Sequence, residues 1–235
     1  MAGTSIANNW QKIQEQIHEA AQAAGRNPTE VRVVGVAKKQ PVDSVEAAVQ
    51  AGLRIVGENY AQEFLRKRES LEHLPITWHF VGHLQSNKAR HIVGSVDLIH
   101  SVDRVSLVRK IGELAAGRGS VQDILIEVNV DSELTKNGIN EADGPALIGS
   151  IQQIPGIRLC GLMGMPSLEQ SPEESSRSFA RLRELRDRWR SELSSGDVGH
   201  HLNELSMGTT HDFGYAIREG ATLVRLGTLL FGPRQ

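Results

Sequence analysis

The chain has 235 residues, 26 Lys+Arg against 28 Asp+Glu for a formal net charge of −2, and 39% hydrophobic residues. That is enough apolar material for a core, and so small a net charge gathers no polyanion, which excludes a disordered chain and argues against nucleic acid as a partner. The lone Cys160 makes no internal disulfide, and neither a membrane-length apolar run nor a secretory leader is visible, so a soluble cytoplasmic protein without membrane contact is expected.

A helix over about residues 5–24 comes first. Ile6, Trp10, Ile13, Ile17 and Ala21 recur along one stripe, and Gly25 suits its C-terminal cap. Short runs rich in Val, Ile and Leu then follow at Val31–Lys38, Arg54–Asn59, Thr77–Gly82 and Leu98–Asp103. They continue at Asp123–Val130, Ile157–Pro166, His201–Gly208 and Thr222–Gly232. Helical patterns such as DSVEAAVQAG, AQEFLRKRESL, VSLVRKIGELAAG and DFGYAIREG lie between them. Strands that alternate with helices pair in parallel and are covered on both faces. Eight such units, each but the last followed by a helical pattern, predict an α/β protein built as one (β/α)8 TIM barrel, a fold of typically about 250 residues. The extra N-terminal helix precedes it, and an open doubly wound sheet is the structural rival. A long helix from about Pro172 to Leu193 has Ser171 as N-cap and buries Phe179, Leu182, Leu185, Trp189 and Leu193. Its six arginines (Arg177, Arg181, Arg183, Arg186, Arg188, Arg190) read as a solvated face. No linker or composition shift divides the chain, which is read as a single domain over 1–235 with the barrel at about 31–232.

Chemistry in such a barrel sits where the strands end, and phosphate often binds after strands seven and eight. That rule selects Ser206-Met207-Gly208, running into Thr209-Thr210, and the segment Arg225-Leu226-Gly227-Thr228. Small residues with hydroxyls and backbone N–H groups near a helix start suit an anion. The first strand ends in Lys38-Lys39. Period-two alternation lets only one of the pair face the mouth, and both faces begin apolar, so alternation leaves the choice open. A lysine there, with a lowered pKa, can form a Schiff base with a carbonyl ligand. His79 ends the third strand at the same face. With no Cys cluster and no HExxH, no metal site is expected. Cys160 reads as a small buried hydrophobe, and Met163 or Met165 as lining of the cleft.

The segments VVGVAKKQP, IVGENYAQEF, WHFVGHLQSNKAR, LCGLMGMPS, LSMGTTHDF and AIREGATLVRLGTLLFG occur in this order. Together, over about Val31 to Gly232, they closely resemble the pyridoxal phosphate homeostasis protein family. The resemblance implies a barrel like the N-terminal domain of alanine racemase, with pyridoxal 5′-phosphate (PLP) at its mouth. It places the PLP-linked internal aldimine on Lys38, phosphate contacts on Ser206, Gly208, Gly227 and Thr228, the asparagine of the GEN motif on Asn59, and the arginine facing the pyridine nitrogen on Arg225. His79 is expected to approach the cofactor. Two departures stand out: Ala37-Lys38-Lys39 replaces the family's common Ser-Lys-Thr, and SMGTT replaces SMGMS.

The resemblance implies a protein that holds PLP, buffering or delivering it to apo PLP-dependent enzymes as a monomer, without catalytic turnover of its own. Arg225 supports that expectation, because a guanidinium only donates and leaves the ring nitrogen unprotonated, a weaker electron sink. The alternatives are a PLP-dependent amino-acid racemase and a cofactor-independent enzyme acting on a sugar phosphate. Against the racemase, only Pro233-Arg234-Gln235 follow the last strand, and the chain has just two tyrosines, Tyr60 and Tyr215, to serve as a second base.

Overall fold

The computed structural model describes residues 2–131, 137–167, 169–193 and 199–233. Eight parallel strands close into a barrel in simple sequence order, β1 (Arg32–Val36), β2 (Ile55–Glu58), β3 (Thr77–Phe80), β4 (Leu98–Val102), β5 (Gln122–Val128), β6 (Ile157–Gly164), β7 (Glu204–Ser206) and β8 (Leu223–Leu226). The barrel predicted from alternation is therefore the observed fold, and the open sheet is excluded by the direct β1–β8 pairing, Arg32 opposite Leu223.

Helices cover the outside: α1 (Ala2–Ala23) ahead of the barrel, then α2 (Val42–Gln50), α3 (Ala61–Ser70), α4 (Ala89–Ile92), α5 (Val105–Ala116), α6 (Gly144–Gln152), α7 (Pro172–Glu192), α8 (Phe213–Arg218) and α9 (Thr228–Phe231). The stripe of α1 is buried at Ile6, Ile13, Ile17 and Ala21 and packs on α2, α8 and α9. Gly25, at φ +66°, ends α1 where a left-handed turn favours glycine. Asn9 of α1 donates its Nδ2 hydrogen to the Leu230 carbonyl at 3.0 Å, and Arg26 donates to the carbonyls of Ile217 and Ala221. The first helix thus fastens the two ends of the barrel wall together. At α7, Ser171 and Glu174 form a reciprocal capping box, each side chain taking the other's backbone N–H.

Alternation sorts side chains into two cores. Outward residues such as Val33, Val56, Phe80, Ile124, Leu162 and Val224 pack under the helices. Inward residues Val34, Ile55, Leu98, Leu125, Cys160, Met163 and Leu223 fill the barrel. A bulge between β5 and β6, where Ile124 pairs with Leu159 but Leu125 with Gly161, restores the inward direction after Cys160. At the N-terminal strand ends, the ion pairs Arg32–Glu204 (2.5 Å) and Arg158–Asp123 (2.7 Å) close the barrel floor.

Four sequence expectations need correction. The first strand ends at Val36 rather than Lys38, because the chain turns at Lys38 and Lys39 takes a left-handed φ of 58°. The last ends at Leu226 rather than Gly232: Gly227 turns the chain and residues 228–231 form α9, so the eighth strand also has its helix. His201 lies outside β7, its backbone N–H donating to the Leu159 carbonyl while His200 Nδ1 accepts the Leu159 N–H. The arginines of α7 are not simply a solvated face. Arg181 and Arg188 both engage Glu141, Arg183 engages Glu219, and Arg186 donates to the Asn203 carbonyl.

Candidate functional site

At the C-terminal ends of the strands a cavity of about 390 Å³ opens, lined by residues from seven of the eight strand ends or the loops after them. Val36 and Lys38 come from the first unit, Asn59 from the second, Val81, Gly82 and His83 from the third, Glu127 and Met163 from β5 and β6. The loop after β7 brings Thr209, Thr210 and His211, and β8 with its turn brings Arg225, Gly227 and Thr228. A larger groove of about 710 Å³ on the outer flank, between α3 and the start of β4, is a poorer candidate. Its acids Glu69, Glu72 and Asp97 outnumber the one cation Arg68, and no strand ends there.

The lysine ambiguity resolves in favour of Lys38. Val34 is inside the barrel, so Val36 and Lys38 continue its face, and Lys38 is half-buried in the cavity wall. The left-handed turn sends Lys39 to the exposed side, where its backbone N–H donates to Glu63 Oε2 at 2.8 Å.

Arg225 is the fixed point of the site. It is 7% exposed, and its Nη1 donates to both the carbonyl and the hydroxyl of Ser206 at 2.7 Å, while Nη2 donates to the Gly164 carbonyl at 3.1 Å. Three of a guanidinium's five N–H groups tie β6, β7 and β8 together, leaving two for the cavity. Burial lowers its pKa to about 10, with Glu127 and Asp212 opposing, so it stays protonated at neutral pH.

Ser206 and His79 sit elsewhere than expected. Ser206 is fully buried beneath the mouth, and neither it nor His79 lines the cavity. Instead a chain of hydrogen bonds runs Arg225–Ser206–His100–His79, with Ser206 Oγ 2.8 Å from His100 Nδ1 and His100 Nε2 2.9 Å from His79 Nδ1. Both imidazoles are neutral: burial pushes His79 to about 3 and His100 well below its usual value. The two residues therefore brace Arg225 from below. Gly208 also supports rather than lines. Its carbonyl accepts the Arg225 N–H at 3.0 Å, and its φ of +90° and a Cβ position 2.6 Å from Ala216 Cβ leave room for glycine alone. Asn59, Gly227 and Thr228 line the cavity as expected, as do Met163 and Met165. Cys160 is buried below it with its thiol pushed up to about 12 by burial.

Glu127 was missed by the sequence reading. It is 9% exposed on the inward face of β5, its Oε2 has no hydrogen-bond partner, and its carboxyl is pushed up to about 7, first by burial and then by Asp103. The signal was present: it shares the Leu125 face with Asp123 at the strand's start, and is the ionisable residue of that face nearest the strand's C-terminal end. Among the described residues three buried side-chain polar atoms lack a partner, and two of them, Asn59 Oδ1 and Glu127 Oε2, belong to this cavity. Orphaned buried acceptors point to a polar occupant that completes them.

Residues 5–235 match the family described as alanine racemase, N-terminal domain. The chain is 42% identical to the pyridoxal phosphate homeostasis protein of Aquifex aeolicus, covering 95% of this chain and 96% of that protein. It is also 42% identical to the protein of the same name from Pseudomonas aeruginosa, over 98% and 96%. Among solved structures it is similar to PipY of Synechococcus elongatus PCC7942 with PLP bound, at TM-score 0.85 and 33% identity, covering 97% of this chain and all of that one.

Proposed function

The chain belongs to the pyridoxal phosphate homeostasis protein family, and we propose that it binds PLP at the barrel mouth and takes part in PLP homeostasis by holding and releasing the cofactor. The observation that carries this reading is the convergence in one cavity of a half-buried primary amine (Lys38), a pinned guanidinium (Arg225), the Gly227-Thr228 turn and two orphaned acceptors. When bound, PLP supplies an aldehyde that condenses reversibly with a primary amine, releasing one water and needing no redox partner.

Each residue then has a task. Lys38 offers its amine nitrogen. Thr228 and the loop through Thr209 and Thr210 offer hydroxyls and backbone N–H groups to the phosphate. Arg225 would offer one of its two remaining N–H groups to the ring nitrogen, and being protonated it could only donate, which would keep that nitrogen unprotonated. Asn59 and Glu127 complete the polar wall.

The same reading makes the protein a carrier rather than a catalyst. In the racemase whose barrel this one resembles, the second acid/base group facing the lysine is a tyrosine. Neither tyrosine lines the cavity: Tyr60 is 49% exposed beside it, and Tyr215 lies under Arg218 against α1. The carrier would act as a cytoplasmic monomer that hands PLP to apo-enzymes.

Borohydride reduction of the PLP-loaded protein followed by peptide mapping tests the binding reading, with the adduct expected on Lys38. An adduct confined to Lys39 overturns it. Incubating the loaded protein with single-enantiomer amino acids in deuterated water tests the carrier reading: α-proton exchange or racemisation above about 1 s⁻¹, the low end of ordinary turnover, refutes it.

A further inference from the structure

Behind the Lys38 turn, between the barrel wall and α3, lies a buried charge cluster that cofactor binding does not use. Lys67 of α3 is fully buried, and its Nζ donates to Glu58 Oε1 at 2.6 Å, to the Ala37 carbonyl at 2.6 Å and to Glu63 Oε2 at 3.2 Å. All three protons of the ammonium have an acceptor. Glu63 Oε2 also accepts the Lys39 backbone N–H at 2.8 Å. Glu58 is fully buried as well, its carboxyl raised by burial while Lys67 pulls the other way.

Stability alone does not explain this arrangement, because a buried ion pair is often matched or bettered by apolar side chains of similar volume. The cluster supplies direction instead. Lys67 holds the carbonyl just before Lys38, and its partner Glu63 holds the amide just after it. One helix thus clamps the segment Ala37-Lys38-Lys39 at both ends. It also accounts for Lys39, the one described non-glycine residue with positive φ. A β-strand end left to itself continues extended; here the Glu63 bond stabilises the left-handed turn that sends Lys39 outward.

We propose that Glu58, Lys67 and Glu63 form a positioning device that aims the Lys38 amine into the cavity. The proposal rests on the reading of Lys38 as the amine that takes up PLP. None of the three lines the cavity, so the clamp acts on where the amine points and not on how the cavity holds a phosphate or ring. Misplacing a reacting atom by about 1 Å can cost about a hundredfold in rate, so loosening one end of the turn is enough to be seen.

The full-length protein is compared with its Glu63→Ala, Glu63→Gln and Lys67→Met variants. Stopped-flow absorbance gives the rate of covalent PLP capture, and borohydride mapping gives the share of adduct on Lys38 and Lys39. Pyridoxamine 5′-phosphate, which carries an amine in place of the aldehyde, gives non-covalent affinity by equilibrium dialysis. Glu63→Ala should capture PLP at least about tenfold more slowly and shift adduct towards Lys39, with pyridoxamine 5′-phosphate affinity within about twofold. Glu63→Gln keeps an acceptor oxygen and should recover most of the rate. Lys67→Met should show the larger loss if circular dichroism shows it folded; if it does not fold, the Glu63 pair decides. Capture and adduct distribution within twofold of wild type for Glu63→Ala would overturn the proposal. A wild-type protein without adduct on Lys38 would instead overturn the reading on which it rests.

Discussion

Replacing Glu127 by Gln should remove a pH dependence from the stability of the barrel. The carboxyl moves from an ordinary 4.5 to about 7 on folding, because burial disfavours its charge and Asp103 repels it, with Arg225 only partly compensating. Below pH 4.5 the group is protonated folded and unfolded, and contributes no difference. Between 4.5 and about 7 the unfolded chain gives up the proton and the folded one keeps it, so stability falls as pH rises, by about 1.4 kcal/mol per pH unit. Above about 7 both states are ionised and the full penalty, on the order of 3 kcal/mol, stays constant. His79 and His100, held neutral by burial, act in the opposite direction, since the unfolded chain takes up their protons as pH drops through 6.5. They are present in both proteins and cancel in the difference. Urea unfolding of cofactor-free wild type and Glu127→Gln from pH 4.5 to 8.5 measures that difference. It should be near zero at the acid end and favour the variant by roughly 3 kcal/mol at pH 8. A difference that does not change with pH would refute the assignment of a raised carboxyl to this residue.

Lys38→Ala should abolish borohydride-stable incorporation of PLP while far-UV circular dichroism stays unchanged, because the side chain belongs to a turn at the cavity wall and not to either core. Thr228→Val should weaken PLP retention by about 1.5–3 kcal/mol, a hydrogen bond to a charged group, seen as a roughly 10- to 150-fold rise in dissociation constant by equilibrium dialysis. Gly208→Ala forces a Cβ to within 2.6 Å of Ala216 at φ +90°, and should cost on the order of 1–3 kcal/mol in thermal or urea unfolding.

The strands were legible because each is a short apolar run bounded by a helical pattern, and parallel pairing follows from that alternation. Their ends were not. Whether the chain leaves β1 at Val36 or Lys38 depends on a bond from Lys39 to Glu63, 24 positions away, and no local pattern encodes it. Likewise VRLGTLLF reads as one apolar run, yet Gly227 at φ −111° and ψ −83° breaks it into strand and helix. Lys38, Arg225, Gly227 and Thr228 were reachable from the barrel rule and the resemblance, since both locate residues by strand end. Depth was the hidden coordinate. Ser206 and Arg225 share the inward face, but only packing shows that the serine hydroxyl is spent on Arg225 and His100 and does not reach the cavity. His100 itself sits in LIHSVD as an ordinary strand residue, and its place in the hydrogen-bond chain comes from His79 and Ser206 converging on it across the barrel.

Closing the barrel through β1 and β8 has a consequence for how the chain is made. Arg32 and Leu223 are partners although 191 positions separate them, the same span as the Arg26–Ile217 bond. Bringing such distant points together costs about 5 kcal/mol of loop-closure entropy before any constant term. At roughly 5–20 residues per second, a ribosome needs about 10–40 s to extend the chain across that interval. Throughout it, one edge of β1 and the Val34 face remain without their final partner, so the nascent protein presents an unpaired, apolar strand edge to its surroundings for most of its synthesis. Ribosome-bound chains stopped before Leu223 should therefore be sensitive to protease at β1, and chains that have released β8 should become resistant together along the whole wall.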